Sequence, residues 1–148
     1  MVNMRPFTAF EQKNLKFLVN HNVKFTQVEI TPTGLGKGIL DSTAPMRAYF
    51  LENGIHNYEE QLQGQEHKQI KAACILTDTT QFFTKVSFYR PNTKKGDPRM
   101  WVYGFGSYTE GNDIHVLFWH EKTLYSINIT HIDIEKCHNS AIITPMQE

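Results

Sequence analysis

Cysteine and long apolar runs are both scarce in this sequence. The 148-residue chain has two cysteines, too few for a disulfide framework, which favours a reduced protein of the cytoplasm. No apolar run approaches the roughly 18 residues that a membrane-spanning helix needs, and the N-terminus lacks the charged and apolar regions of a secretory signal. We therefore expect a cytoplasmic protein that has no membrane partner.

Net charge is absent too, because 15 basic residues balance 15 acidic ones. The basic residues are nevertheless unevenly spread. Five of them lie between residues 85 and 99, where Asp97 is the only acid. A chain that is neutral as a whole can still present one positive face. This basic segment therefore indicates either an anionic partner or a solvated loop.

Large apolar side chains are plentiful, and they indicate one globular domain over residues 1–148. The chain is 40% hydrophobic and 12% aromatic, which argues against disorder. A chain of this length commonly forms a single core and buries about two-thirds of its unfolded surface.

Two short helices are predicted in the N-terminal part. Thr8 and Glu11 have the spacing of a capping box, and an apolar face continues behind them, so the first helix should start at residue 9 and end near residues 20–22. The second should hold Pro45 in its first turn and end at Asn53-Gly54. The glycine-rich residues 31–38 between them are predicted to form a flexible connector.

Short strands dominate the rest of the pattern. Residues 23–30 and the apolar pair 39–40 suggest two strands, and five more are predicted at residues 70–76, 82–89, 99–103, 114–120 and 124–129. No helical crossover separates the last five, which argues against a parallel doubly wound sheet. The expected fold is α+β and mainly β, a seven-stranded, mostly antiparallel open barrel with two short helices.

Motifs for metal, nucleotide and nucleophile sites are missing. His131, Cys137 and His138 are close in sequence, but no Cys-x-x-Cys or His-x-x-x-His pair accompanies them, so we expect no metal ion and no cofactor. The three glycines between residues 34 and 38 do not have the spacing of a phosphate-binding loop. Cys74 lies in an apolar run and is expected to be a buried core residue.

A small Mg²⁺-dependent nuclease is one alternative. Glu66-His67-Lys68 has the acid-x-Lys spacing of such sites, and Glu59 or Glu60 would be the distal acid. This spacing arises often by chance, and Glu66 lies in a polar segment outside any predicted strand. We therefore expect a binding protein with no catalytic residues.

Nucleic acid is the partner that the basic segment favours. Its pattern is a strand, a basic loop and a second strand, which together form a projecting arm. Lysine and arginine neutralise phosphates, and arginine and asparagine read guanine and adenine edges in the major groove. Single-stranded nucleic acid would instead need exposed aromatics on a sheet face, and Tyr89, Trp101 and Tyr103 are the candidates. A protein-interaction module with an acidic partner is a further alternative.

Two stretches of the chain extend this interpretation. Residues 30–50 combine a strand, a glycine-rich connector, a short apolar strand and a short helix. Residues 87–106 hold the basic loop between two strands and are followed by Asn112-Asp113-Ile114. In order and pattern, these stretches resemble the N-terminal effector domain of EcoRII-type restriction endonucleases, a B3-like DNA-binding pseudobarrel.

The resemblance implies two arms that grip double-stranded DNA in the major groove. The first arm would be residues 33–42, and the second arm residues 90–99. It also implies a target of the 5′-CCWGG type, and a domain that precedes an MvaI-like nuclease domain in a longer restriction endonuclease. We expect a monomer whose own role is to bind DNA.

The expected DNA-contacting residues lie in these arms and just beyond the second. Arg90 and Arg99 are the expected base readers, and Lys94 and Lys95 the expected phosphate contacts. Tyr108 and Asn112 are weaker candidates near the base of the second arm. The full set is Lys37, Asp41, Ser42, Arg90, Asn92, Lys94, Lys95, Asp97, Arg99, Tyr108 and Asn112.

Overall fold

A computed structural model describes residues 4–137 of the protein, apart from the side chain of Lys94. Its α-helices are α1 (Ala9–Asn20), α2 (Pro32–Lys37) and α3 (Ala44–Glu52). Its strands are β1 (Thr26–Glu29), β2 (Leu40–Asp41), β3 (Gln69–Leu76), β4 (Gln81–Tyr89), β5 (Arg99–Val102), β6 (Ile114–His120) and β7 (Thr123–Asn128).

All seven strands belong to one sheet, which curls into an open pseudobarrel. The strand order is β1-β6-β7-β3-β4-β5-β2. Neighbouring strands are antiparallel except for β3 and β7, which pair in parallel. The predicted α+β, mainly β open barrel is therefore confirmed. Because β1 and β2 are the two edge strands, the open side of the barrel lies between them.

Two apolar clusters occupy opposite faces of the sheet, as the alternation of side chains along a strand requires. Ala73 and Ile75 of β3 point into a cluster that α3 covers with Met46 and Phe50. Cys74 points the other way, into a second cluster beneath α1. Each helix thus covers the sheet face that the other leaves exposed.

The predicted first helix is confirmed, and its capping box forms as expected. The Thr8 hydroxyl accepts a hydrogen bond from the Glu11 backbone N–H at 3.1 Å, and the Glu11 carboxylate accepts one from the Thr8 N–H at 2.8 Å. Further along α1, the buried Asn14 donates to the carbonyls of Ile129 and Ile132 at 2.9 and 2.7 Å. These bonds fix α1 to the segment that follows β7.

The prediction of a flexible connector at residues 31–38 is wrong, because residues 32–37 form α2. The Thr31 hydroxyl accepts from the Gly34 N–H at 3.0 Å, and Pro32 occupies the first turn. Gly38 ends the helix in the left-handed region at φ 71°, where glycine is the least strained residue. Residues 4–137 therefore contain three α-helices, one more than expected.

The helices of the described part of the chain are short. None of those in residues 4–137 is long and apolar enough to cross a membrane.

Candidate nucleic-acid interface

Both arms lie at the same edge of the sheet, because β2 ends the first arm and β5 begins where the second arm ends. Asp41 is opposite Arg99 in the β2–β5 pair. The Ser42 N–H also donates to the carbonyl of Pro98 at 3.0 Å. The expected proximity of the two arms is therefore present in the backbone hydrogen bonding.

A cleft of about 450 Å³ occupies the open side of the barrel. Its walls come from β1, α2, β2 and the first residue of β5. Three of the predicted contact residues line it, namely Lys37, Asp41 and Arg99. Val28 and Leu40 supply an apolar floor, because both are also buried core residues. The cleft is thus an apolar hollow whose lining carries two cations, Lys37 and Arg99, and two acids, Glu29 and Asp41.

Arg99 has the most unusual environment in this cleft. Its side chain is about one-fifth exposed, and its Nε lies 3.7 Å from the nearer Asp41 oxygen. That separation is too long for a hydrogen bond, and Nε is shielded from solvent with no hydrogen-bond partner in the described part of the chain. A buried donor without an acceptor is costly, and because this atom has no exposed surface, a ligand could reach it only if the Arg99 side chain moved.

Tyr89 lies beside Arg99 across the β4–β5 pair. Burial raises the pKa of the Tyr89 hydroxyl, and the Arg99 guanidinium opposes that rise. The hydroxyl therefore stays protonated at neutral pH. Because Tyr89 is only 4% exposed, it is a core residue that supports Arg99, and it is not an aromatic available for stacking with a ligand.

The tip of the second arm is exposed to solvent. Asn92, Lys95 and Asp97 are all exposed there. Lys95 adopts φ 59°, a left-handed conformation in which the chain turns back toward β5. Lys94 is in the same turn, but its side chain lies outside the described residues.

Arg90 does not have the environment expected of a base reader. Its guanidinium donates to backbone carbonyls, with Nε 2.9 Å from the Gly96 oxygen and Nη1 3.0 Å from the Gln61 oxygen. The Gly64 N–H in turn donates to the Arg90 carbonyl at 2.7 Å. These bonds fasten the second arm to the segment before β3, which gives Arg90 a structural role.

Ser42 is also misassigned by the sequence pattern. Its side chain is only 2% exposed, and its Oγ lies 2.6 Å from the Tyr58 hydroxyl. The Tyr58 hydroxyl donates onward to the Arg99 carbonyl at 2.8 Å. Ser42 therefore belongs to a buried polar chain under the cleft and has no surface to offer a ligand.

Tyr108 and Asn112 lie in the loop between β5 and β6. Tyr108 is partly buried, and its ring is 5.6 Å from that of Phe82. The Asn112 N–H donates to the Ile30 carbonyl at 2.7 Å, which places Asn112 at the base of the first arm. The side chain of Asn112 is exposed.

A cation and two stacked rings lie together beside the second arm. Lys85 lies on β4, where its Nζ is 4.9 Å from the centre of the Tyr103 ring. The Tyr103 and Trp101 rings are stacked at 5.2 Å with an interplanar angle of 11°. Trp101 is on β5 and Tyr103 directly follows this strand, so their i, i+2 spacing was the available signal. Lys85, on the predicted strand at residues 82–89, therefore adds its charge to these two rings.

The residues of the nuclease alternative do not all line one cavity. Glu60 lines a second cavity, of about 500 Å³, between α3 and the start of β3. Glu66 instead lies 3.7 Å from His67 Nε2, and neither Glu66 nor Lys68 lines that cavity.

Burial raises the pKa of the Cys74 thiol to about 11, so this side chain is a poor nucleophile at neutral pH.

The chain was compared with protein-family models, with curated proteins and with solved structures, and none of these comparisons finds a match.

Proposed function

We propose that this chain binds double-stranded DNA, with its two arms entering the major groove. The observation that carries the proposal is that Lys37 of the first arm and Arg99 at the end of the second arm line the same cleft. Phosphate oxygens and guanine edges are the acceptors that such cations bind in DNA.

The charged residues of the two arms suit two tasks, phosphate contact and base reading. Lys37 is exposed at the end of α2 and Lys95 is exposed at the tip of the second arm, which suits contacts with phosphates. Arg99 and Asp41 lie side by side in the β2–β5 pair. Arginine pairs with guanine O6 and N7, and aspartate accepts from cytosine N4. This pair is therefore suited to reading G·C base pairs.

The biological setting of the proposal rests on the resemblance to effector domains alone. In that setting, the chain would be the DNA-recognition part of a restriction endonuclease, the target would be 5′-CCWGG, and an accompanying nuclease domain would cut. The chain itself would bind without catalysis.

The test is a fluorescence-anisotropy titration with a CCWGG duplex and with a scrambled duplex of equal length, each at about 50 and about 200 mM salt. Arg99→Ala should weaken binding to the CCWGG duplex by about 1–3 kcal/mol, a factor of about 5 to 150, with a smaller effect on the scrambled duplex. Lys95→Ala should weaken both equally and reduce the salt slope by about one.

Two further variants make the result interpretable. Lys16→Ala removes an exposed cation on α1, outside both arms, and should bind like the unaltered chain. Arg99→Lys keeps the charge but loses the planar fork, so it should retain binding to the scrambled duplex and lose discrimination. Failure of both duplexes to bind at the lower salt would refute the proposal and favour the protein-interaction alternative.

The aromatic face of β5 favours single-stranded nucleic acid as a second candidate ligand. Trp101 is 37% exposed beside the stacked Tyr103 and the nearby Lys85. Base stacking on such a platform is worth about 1–3 kcal/mol per base. A thymidine oligonucleotide should then bind more tightly than either duplex and lose affinity in Trp101→Ala. Equal binding by that variant would exclude this second mode.

A further inference from the structure

Three metal-ligating side chains from separate parts of the sequence meet near the base of the first arm. They are Glu110 and Asp113, in the loop before β6, and His131, just after β7. His131 Nε2 lies 3.0 Å from Asp113 Oδ1 and 3.6 Å from Glu110 Oε2. All three ligand atoms lie within 4.8 Å of one another. In the described part of the chain, this is the only such group of three.

Hydrogen bonds within the protein fix the orientation of the Asp113 carboxylate. Asp113 is 4% exposed, and its Oδ2 accepts from the Glu110 N–H at 2.7 Å and from the Asn128 amide at 2.8 Å. These two bonds leave Oδ1 directed at His131. Hydrogen bonds of this kind, which orient a ligating carboxylate, are a regular feature of metal sites.

The spacing of the ligand atoms suits a small tetrahedral ion. Zinc binds nitrogen and oxygen ligands at about 2.0–2.2 Å, so two ligands at the tetrahedral angle lie about 3.3 Å apart. The distances of 3.0 and 3.6 Å from His131 Nε2 fall on either side of that value. An ion between these atoms would therefore require shifts of only a few tenths of an ångström for these two pairs.

The charge and the ligand types narrow the choice of ion. Two carboxylates face one imidazole, and no described lysine or arginine side chain pairs with either carboxylate within 4.0 Å. The nearby Arg5 guanidinium donates to the Asn112 carbonyl at 3.0 and 2.8 Å and interacts electrostatically with Asp113. A dication would add to this partial compensation of the two acids. An imidazole nitrogen among oxygen ligands suits zinc better than magnesium or calcium, which prefer oxygen throughout.

We propose that Glu110, Asp113 and His131 form a zinc site whose fourth position is taken by water. The ion would join the loop before β6 to the segment after β7. The same loop makes two backbone hydrogen bonds of 2.7 Å with Ile30: the Asn112 N–H donates to the Ile30 carbonyl, and the Ile30 N–H donates to the Asp113 carbonyl. Because Ile30 directly precedes Thr31, the cap of α2, the ion would also brace the base of the first arm. This proposal stands independently of DNA binding.

The test measures zinc uptake by the full chain after treatment with a chelator, using calorimetry and metal analysis of the dialysed protein. One zinc ion should bind per chain. His131→Gln and Glu110→Gln should each weaken binding by a factor of about ten or more. The Glu110 side chain is 81% exposed, so Glu110→Gln should leave the fold intact even if a change at the more buried ligand does not.

The matched control is His67→Gln. His67 Nε2 also lies close to a carboxylate, 3.7 Å from Glu66 Oε1, but no second acid completes a group of three there. This variant should bind zinc as the unaltered chain does. In amide NMR spectra, zinc should shift resonances of residues 110–113 and 129–131. No uptake, unchanged uptake in both ligand variants, or an equal loss in His67→Gln would each overturn the proposal.

Discussion

The buried carboxylate of Glu11 makes the stability of this protein depend on acid in a calculable way. Glu11 is 0% exposed, yet four donors surround its two oxygens. Arg5 supplies two of them, at 2.8 and 2.6 Å, Thr8 supplies its N–H at 2.8 Å, and Thr130 supplies its hydroxyl at 2.6 Å. The Arg5 guanidinium, more than any other group, lowers the pKa of Glu11 to about 2.

The free energy follows from the difference in pKa between the two states. The pKa of Glu11 falls from its ordinary 4.5 to about 2 on folding. Each unit is worth about 1.4 kcal/mol, so ionised Glu11 stabilises the fold by about 3 kcal/mol at neutral pH. The contribution is complete well above pH 4.5 and is lost as the pH falls through 4.5 toward 2, because the unfolded chain takes up the proton first.

Urea denaturation between pH 2 and pH 7 measures this contribution. Glu11→Gln should be less stable than the unaltered chain at pH 7, and the difference in free energy of unfolding should shrink by about 3 kcal/mol as the pH falls to 2. Glu66→Gln, which alters a carboxylate that is 70% exposed, should show no such convergence. A difference between Glu11→Gln and the unaltered chain that stays constant with pH would refute the reasoning.

Two further predictions concern the arms. Gly38→Ala should lower the free energy of unfolding by about 1–2 kcal/mol, because Gly38 has φ 71° and an added Cβ would lie 3.2 Å from Trp101 Nε1. Gly36→Ala should instead raise it by about 0.5–1 kcal/mol, because nothing lies within 4 Å of the added carbon. Urea denaturation measures both changes, and equal effects of the two substitutions would contradict the packing argument. Arg90→Ala should speed amide hydrogen exchange at Gly96, whose N–H donates to the Thr93 carbonyl inside the second arm. Unchanged exchange would show that the conformation of the arm does not depend on Arg90.

Local patterns predicted the regular elements well. The capping box of α1 needs only residues three apart, and both of its hydrogen bonds form. The predicted strand at residues 114–120 coincides with β6, and the four strands from β3 to β5 and β7 differ from their predictions by about one residue at the ends. In each case, the decisive information lies within a few neighbouring residues.

The α2 helix was missed although its end signals were present. Thr31, Pro32 and Gly38 are suitable residues for its cap, its first turn and its stop. Two interior glycines argued against a helix, since each costs about 1 kcal/mol relative to alanine. Packing overrides that cost at Gly34, because an added Cβ there would lie 2.8 Å from the Ile39 carbonyl. Only a glycine permits this approach of α2 to β2.

The candidate site was less predictable, because the role of each side chain depends on contacts with other parts of the chain. Arg90 donates to the carbonyl of Gly96, six residues away, and to that of Gln61, 29 residues away, and no sequence pattern links an arginine to a carbonyl as distant as Gln61. Ser42 is buried by Tyr58 in the same way. The pairing of Asp41 with Arg99 likewise depends on the register of β2 against β5, which is a tertiary property.

The long separation in sequence between paired strands affects how the chain folds. Strand β1 pairs with β6, β2 with β5, and β3 with β7, so the early strands must wait for partners from the later part of the chain. Closing such long loops before any contact is gained slows folding. During synthesis, α1 has the local signals to form early, but the sheet closes only once β6 and β7 have left the ribosome.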